Sequence, residues 1–269
     1  MTAAPPPESF QIPIEAAELY ESAFVPAFFA QWAPVLCEVA GVGPGRSVLD
    51  VACGTGIVAR TAADLVGPTG SVDGVDLNDA MLHVARRVRP DLRWHCGDVG
   101  ELPFPDDAFD AVVCQMAMMF FPDRGRAVAE MARVSRRSGT VALLVPSGLD
   151  AQPAFRPFVD LAAGIAGPEA RSLLATYFVC GDVGTLTALL ESAGLRVTET
   201  RTVAGTYRAP SVDAAVTTEV ESTPLVDRID DDAYSRLRAG AHEVFAPFTA
   251  ADGSLAAPFE CLAVAAGRR

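Results

Sequence analysis

The sequence predicts an α/β protein built on one doubly wound, mostly parallel sheet. Three observations carry that expectation. In the first half of the chain, strand-like and helix-like stretches alternate, the pattern of parallel strands joined by crossover helices. An apolar stretch, Val48–Ala52, runs directly into a glycine turn and then into a helical stretch. Beyond Pro146 the alternation stops and helical stretches dominate, which predicts helical insertions making a small lid after the fifth strand.

The elements follow in order. Leu19, Tyr20, Ala23, Phe24, Ala27 and Phe28 recur at helical spacing and predict a helix over 15–39, interrupted or kinked at Pro26 and Pro34. SVLDVA (47–52) reads as a short buried strand, and 57–66 as a helix closed by Gly67-Pro68. A second strand is expected over 71–77, then a helix capped by Asn78 or Asp79 and stopped before Pro90. Strands follow at 92–96, 110–115 and 140–146, with a helix over 124–136 between the last two. Residues 151–178 read as one or two Phe- and Ala-rich helices, and 183–193 as a helix ended by Gly194. VTETRTVAGTY (197–207) alternates polar and apolar, as a strand with one covered face does. Residues 212–248 are mostly helical and acidic, with Asp230-Asp231-Asp232 expected in a solvated turn, and FECLAVA (259–265) is a last strand. The domains expected are an N-terminal helical cap over 1–40, a ligand-binding core over 41–148, a lid insertion over 149–182, and completion of the core over 183–269 with a second insertion at about 212–248.

Composition excludes several functions. The chain has 269 residues, half of them hydrophobic, so it can bury a sizeable core without disulfides or metals. The formal net charge is −13, which opposes binding a phosphate backbone, since that binding depends on Lys and Arg neutralising phosphates. All 21 basic residues are Arg, so no Schiff-base lysine and no P-loop lysine is available. No apolar run approaches the roughly 18 residues of a membrane span, and MTAAPPPESFQIP has neither the basic start nor the apolar centre of a signal peptide; a loose tail is expected there. The six cysteines form no CxxC, and with three histidines no metal-ligand spacing appears. Scattered cysteines of this kind are expected to be buried small hydrophobes in a reduced, cytoplasmic protein.

The most informative stretch is VLDVACGTGIV (48–58). Glycines at 54 and 56 permit positive φ and close backbone approach to a ligand, and the turn offers N–H groups at the positive end of a helix. A nicotinamide-binding GxGxxG remains open here, with Ala59 in the third place, where the looser fingerprint allows Ala. Asp76 closes the second strand about 20 residues after the turn, where a carboxylate accepts hydrogen bonds from a ribose. Cys96-Gly97-Asp98-Val99 ends the third strand, and a turn-rich loop, ELPFPDDAFD, feeds the fourth; an Asp there can accept from an exocyclic purine amine.

Taken together, these segments resemble the class I S-adenosylmethionine (SAM) dependent methyltransferases, in the small-molecule branch related to the ubiquinone/menaquinone methyltransferases. The likeness extends through GDVGELPFPDDAFDAVVCQMAMMFFPDRGRAVAEMARVSRRSGTVAL and GDVGTLTALLESAGLRVTETRTV, roughly residues 45–205. It implies a Rossmann-like, seven-stranded sheet with the last strand antiparallel. It also implies SAM as cofactor and S-adenosylhomocysteine as product. Asp50, Ala52, Gly54, Thr55 and Gly56 would line the methionine half of SAM, with Ala52 where the family often has Gly. Asp76 would hold the ribose hydroxyls, and Leu77 and Met81 would flank the adenine. Within Gly97-Asp98-Val99, Asp98 would accept from the adenine amine and the Val99 N–H would donate to its ring. Gln115 and Met116 would lie near the transferred methyl, and Tyr20 and Phe24 would close over the cofactor.

Methyl transfer from a sulfonium is an in-line displacement. Positioning alone can supply about 7–11 kcal/mol of its barrier, so a base is needed only where the nucleophile must lose a proton. His242 is the candidate base; His83 is expected to face solvent, His95 to be structural, and Cys53 to be packing. Clusters such as Phe24-Phe28-Phe29-Trp32, Met116–Phe121 and Phe155-Phe158-Tyr177-Phe178 supply core, and in part an apolar pocket for a small, largely apolar and phenolic or quinol-like acceptor. The partners expected are that small acceptor, with no nucleic acid and no membrane; monomer and homodimer both stay open. A protein of this fold that binds SAM but catalyses another reaction, or serves as a non-catalytic binding subunit, is the alternative.

Overall fold

The computed structural model describes residues 11–221 and 223–268. The proline-rich stretch 1–10, expected as a loose tail, lies outside the described residues. The first helix is α1 (Ile14–Leu19), which passes without a break into a π-helix (Tyr20–Phe29); α2 (Ala33–Val39) follows. The alternating half then gives β1 (Ser47–Val51), α3 (Ile57–Val66), β2 (Ser71–Asp76), α4 (Asp79–Val88), β3 (Arg93–Cys96), β4 (Phe109–Gln115), α5 (Arg124–Val134) and β5 (Ser135–Pro146). After it come α6 (Phe155–Leu174), α7 (Val183–Ser192), β6 (Leu195–Ala209), α8 (Val212–Glu221), α9 (Asp231–Phe245) and β7 (Leu255–Arg268).

The seven strands form one sheet in the order β3-β2-β1-β4-β5-β7-β6, mostly parallel with one antiparallel strand. The order reverses at β1, whose two neighbours, β2 and β4, both run parallel to it. In an open α/β sheet that switch point is where a ligand is received, beyond the carboxyl ends of the strands. β1 and β4 are buried almost throughout because helices cover both faces, and their sequences accordingly read as continuous apolar runs.

By contacts the chain divides into two units. Residues up to Leu144, with Thr187–Thr200 and those from Ala263 onward, form the first; Val145–Leu186 and Arg201–Leu262 form the second. The core of the second unit is aromatic. Phe155 sits 5.1 Å from Tyr207 and 5.3 Å from Phe259, ring centre to ring centre, both nearly edge-on. A buried Gln152 ties that unit internally: its Nε2 donates to the Ser147 and Glu260 carbonyls, and its Oε1 accepts the Glu260 amide.

Several local expectations change. The N-terminal helix is not one kinked α-helix. Its middle is a π-helix containing Pro26, and the amide of Ala30 bonds five residues back to the carbonyl of Val25 at 2.8 Å. Pro34 sits in the first turn of α2, where its missing N–H costs nothing. Asp230-Asp231-Asp232 is not a solvated turn: Asp230 caps α9 by accepting the Ala233 amide at 2.8 Å, and the other two lie in the first turn, where negative charge suits the helix. α6 contains a break at Gly167 (φ 85°) before Pro168, which cannot continue the hydrogen-bond ladder. Five of the cysteines are buried as expected, but Cys96 is exposed at the end of β3.

Candidate cofactor site

The site begins at the loop that joins β1 to α3. Ala52, Gly54 and Gly56 all have positive φ, at 54°, 54° and 89°. The turn closes on itself where the Gly56 amide donates to the Cys53 carbonyl at 2.8 Å, and the Cys53 amide bonds the Val75 carbonyl of β2 at 3.0 Å. The two glycines adopt this backbone without strain. Ala52 does not: a β-carbon in the left-handed region costs about 1–2 kcal/mol. A β-carbon on Gly54 would meet only the Tyr20 ring, at 3.8 Å, so this stretch of backbone is open to close approach.

Two carboxylates stand against the turn. Asp76, at the end of β2, accepts the Gly54 amide at 2.7 Å through one oxygen and the Asn78 amide at 2.8 Å through the other. Asn78, rather than Asp79, caps α4, accepting the Ala80 and Met81 amides. Asp76 is therefore not spent as a helix cap, and lone pairs remain on both of its oxygens. Asp50, 1 % exposed, accepts the Ala59 amide at 2.9 Å. Burial pushes the Asp50 carboxyl up to about 8; the Ala59 amide counters part of that, and the neighbouring Asp76 adds to it. Burial likewise raises Asp76, against the amides that favour its charge. The Tyr20 hydroxyl is held well above its ordinary range by burial first, then by Asp76 and Asp50. The carboxylates beside the turn thus disfavour further negative charge and favour a cation.

Two buried polar atoms here have no hydrogen-bond partner among the described residues: the Thr55 hydroxyl and Oε1 of Gln115. Gln115 is held by its other end, Nε2 donating to the Phe29 carbonyl at 3.1 Å. Orphaned acceptors of this kind are rare in interiors and mark a place where a ligand completes the bonding. Met116, directly after Gln115, has φ 53° and its amide bonds the Leu144 carbonyl at 2.7 Å. Strained non-glycine backbone of this kind clusters at functional sites.

The remaining residues fall as follows. Leu77 is half exposed beside Asp76, and Met81 is half-buried in α4. Asp98 is exposed and caps the short 3-10 turn Val99–Glu101, accepting the Gly100 amide at 2.7 Å through one oxygen. Gly97 is crowded rather than left-handed; a β-carbon there would lie 3.2 Å from Pro103 and Val75. Tyr20 and Phe24 are half-buried on the π-helix, Tyr20 stacked 4.9 Å from Phe29. His83 is exposed. His95 is structural, its Nε2 2.8 Å from the buried Asp73, which Arg93 also bonds. His242 belongs to the second unit, where it lies on α9 more than half exposed. Its Nε2 is 3.3 Å from Asp213, a carboxylate shared with Arg238 in a surface ion cluster.

Sequence reasoning missed three residues that shape the site. Arg60 of α3 forms a largely buried, two-pronged bridge to Glu21, fastening the π-helix over α3. Arg124 donates to the Met118 and Met119 carbonyls and so holds the loop after β4. Trp94 packs behind the glycine turn. Arg60 and Trp94 meet partners far along the chain, which leaves no local pattern to find, whereas Arg124 bonds carbonyls just before its own helix.

A doubly wound sheet with a left-handed glycine turn at its switch point and a carboxylate, Asp76, one strand over is the arrangement that nucleotide-binding domains use. Comparison with known proteins narrows this. Residues 48–139 match the model of a methyltransferase domain family. The ubiquinone/menaquinone biosynthesis C-methyltransferase of Ectopseudomonas mendocina is 37% identical over 119 residues, covering 42% of this chain and 46% of that protein. Among solved structures, the YcgJ protein of Bacillus subtilis superposes with a TM-score of 0.58 at 19% identity, covering 89% of this chain and 99% of that one. A SAM-dependent methyltransferase of Aquifex aeolicus gives 0.51 at 19% identity over 71% of this chain and 92% of that one. The match to the C-methyltransferases spans about half of their length. Residues 48–139 carry a methyltransferase domain of the class I SAM-dependent family, whose cofactor is SAM. Within that family its methyltransferase region is related to the ubiquinone/menaquinone C-methyltransferases.

Proposed function

We propose that the protein transfers the methyl group of SAM to a small, largely apolar acceptor of phenolic or quinol-like character. The single observation that carries the cofactor half of this reading is the grouping of the Asp50 and Asp76 carboxylates and the unpartnered Thr55 and Gln115 oxygens at the carboxyl ends of β1, β2 and β4. Asp76 would accept the ribose hydroxyls with the lone pairs that the two amides leave. The Gln115 carbonyl oxygen would accept from the methionine ammonium, and Thr55 would bond its carboxylate at the N-terminus of α3. Leu77 and Met81 would flank the adenine, with the free oxygen of Asp98 accepting from its amine and the Val99 amide donating to its ring. Bound SAM supplies an activated methyl on a sulfonium. The protein's contribution is to hold that methyl and the acceptor in line and to keep water away.

The acceptor class rests on two supports. The named C-methyltransferases to which the matched region is related act in ubiquinone and menaquinone biosynthesis. The π-helix also presents half-buried Tyr20, Phe24, Phe28 and Phe29. Several other aromatic and Met residues are plain core: Met118, Met119, Phe155 and Phe158 are buried. Among the described residues no single helix is long and apolar enough to cross a membrane; six free thiols support a reducing compartment, the cytoplasm.

The test is calorimetric titration of the cofactor-stripped protein with SAM, S-adenosylhomocysteine and NADH. Saturable binding of the two sulfur nucleotides with no heat from NADH is expected. A screen of apolar phenols and quinols follows, read by the mass increase of one methyl. No binding of either sulfur nucleotide, with or without acceptors, would overturn the reading.

A further inference from the structure

Strand register sets Asp50, Gly74 and Trp94 side by side across β1, β2 and β3. Register partners on neighbouring strands project to the same face. That face is the one under α3, because Asp50 accepts the Ala59 amide there. The middle position has no side chain, and the Trp94 indole lies across it. A β-carbon on Gly74 would stand 2.5 Å from Cε3 and Cζ3 of Trp94, and 3.0 Å from Sγ of Cys53. The far edge of the same ring reaches the glycine turn, where a β-carbon on Gly56 would overlap Cη2 and stand 2.8 Å from Cζ3. The indole N–H donates to the Arg89 carbonyl at 2.9 Å, which fixes the ring's pose.

These contacts carry a consequence for the cofactor. A glycine at position 56 is required by its φ of 89° and equally by the indole behind it. We infer that Trp94 is a positioning residue: lying through the gap at Gly74, its ring sets where Gly56, and with it the cofactor-facing amides of the turn, stand. In this role it acts through the turn. The inference rests on the reading that this turn binds SAM.

Gly74→Ala is the incisive variant. Gly74 lies two residues before Asp76 and its φ is not left-handed, so an added methyl strains no backbone. It meets the indole instead and presses it toward Gly56. Calorimetric titration of the full chain with SAM should show affinity lowered roughly tenfold or more in Gly74→Ala, the scale of a displaced binding element. Trp94→Leu should also weaken SAM, by leaving the turn unsupported. Trp94→Phe, which keeps a ring in the gap, should bind close to wild type. The double variant Gly74→Ala/Trp94→Leu should bind SAM more tightly than Gly74→Ala alone, because the clash is gone; a ring that served stability alone would give no such rescue in affinity. Unchanged affinity in Gly74→Ala, or no recovery in the double variant, overturns the inference. If Gly74→Ala does not fold, Trp94→Leu binding SAM as wild type does would overturn it by itself. Wild-type protein that binds no SAM defeats the cofactor reading instead, which keeps the two failures apart.

Discussion

The backbone amide of Gly54 donates to the carboxylate of Asp76 at 2.7 Å, across 22 residues of chain. The bond joins the turn after β1 to the end of β2. It makes the Asp76 carboxylate part of the turn's own scaffold. Asp76 therefore has two tasks, holding the turn through Gly54 and Asn78 and presenting its remaining lone pairs outward.

Asp76→Ala removes both tasks at once. SAM affinity should fall by about 1–3 kcal/mol, the cost of leaving buried donors unpaired. Asp76→Asn keeps one acceptor oxygen and should fall between that variant and wild type. Calorimetry on variants with wild-type circular dichroism checks this; unchanged affinity in Asp76→Ala refutes the ribose assignment.

Cofactor binding should be linked to protons through Asp50. Burial raises its carboxyl to about 8, with Asp76 adding to the rise and the Ala59 amide and Arg60 opposing it. A bound cation favours the ionised form, so SAM binding should release a proton near neutrality. Affinity should then rise with pH and level off above about 8. Titration in two buffers of unlike ionisation heat measures the proton count. Asp50→Asn should abolish the dependence; a pH-independent wild-type affinity would exclude the linkage.

Ala52 carries a β-carbon at φ 54°. Ala52→Gly should stabilise the fold by up to about 1 kcal/mol, the left-handed penalty less the added entropy of the unfolded chain. Chemical denaturation with an unchanged slope reads it. A variant no more stable than wild type would mean that contacts of the Ala52 methyl outweigh the strain.

Glu219, on α8, shows the opposite of the usual carboxylate linkage. Burial pushes it from an ordinary 4.5 up to about 7, although a hydrogen bond from Tyr207 favours its charge. The folded state then holds a proton that the unfolded chain releases, so this group's destabilisation grows as pH rises from about 4.5 and is complete above about 7. Its size is up to about 3 kcal/mol. Glu219→Gln should flatten the fall in stability over that window and leave the protein more stable at alkaline pH. Parallel denaturation profiles for the two proteins would settle the point.

Much of the candidate site was legible because its residues lie in short local patterns. A strand, a glycine turn and a helix lie within eleven residues, and Asp76 closes the next strand. The left-handed glycines follow from the need for a turn tight enough to start α3. Trp94, Arg60 and Arg124 were not legible in the same way. Arg60 and Trp94 act on residues of distant elements, and Arg124 acts on backbone carbonyls of the preceding loop, which carry no side-chain signature. The π-helix was also out of reach, because Pro26 reads as a kink, whereas five-residue bonding absorbs it instead.

The sequence by itself determined the doubly wound order of strands and helices, the placement of the turn after β1, and the likeness of residues 48–139 to methyltransferase domains. Burial period and turn chemistry are local, so the chain states them directly. Tertiary structure alone decided which buried oxygens lack partners, how far Asp50 is raised, and that an indole from β3 stands behind Gly56. Those depend on desolvation and on contacts between strands that are distant in the chain, and both exist only once the sheet has assembled.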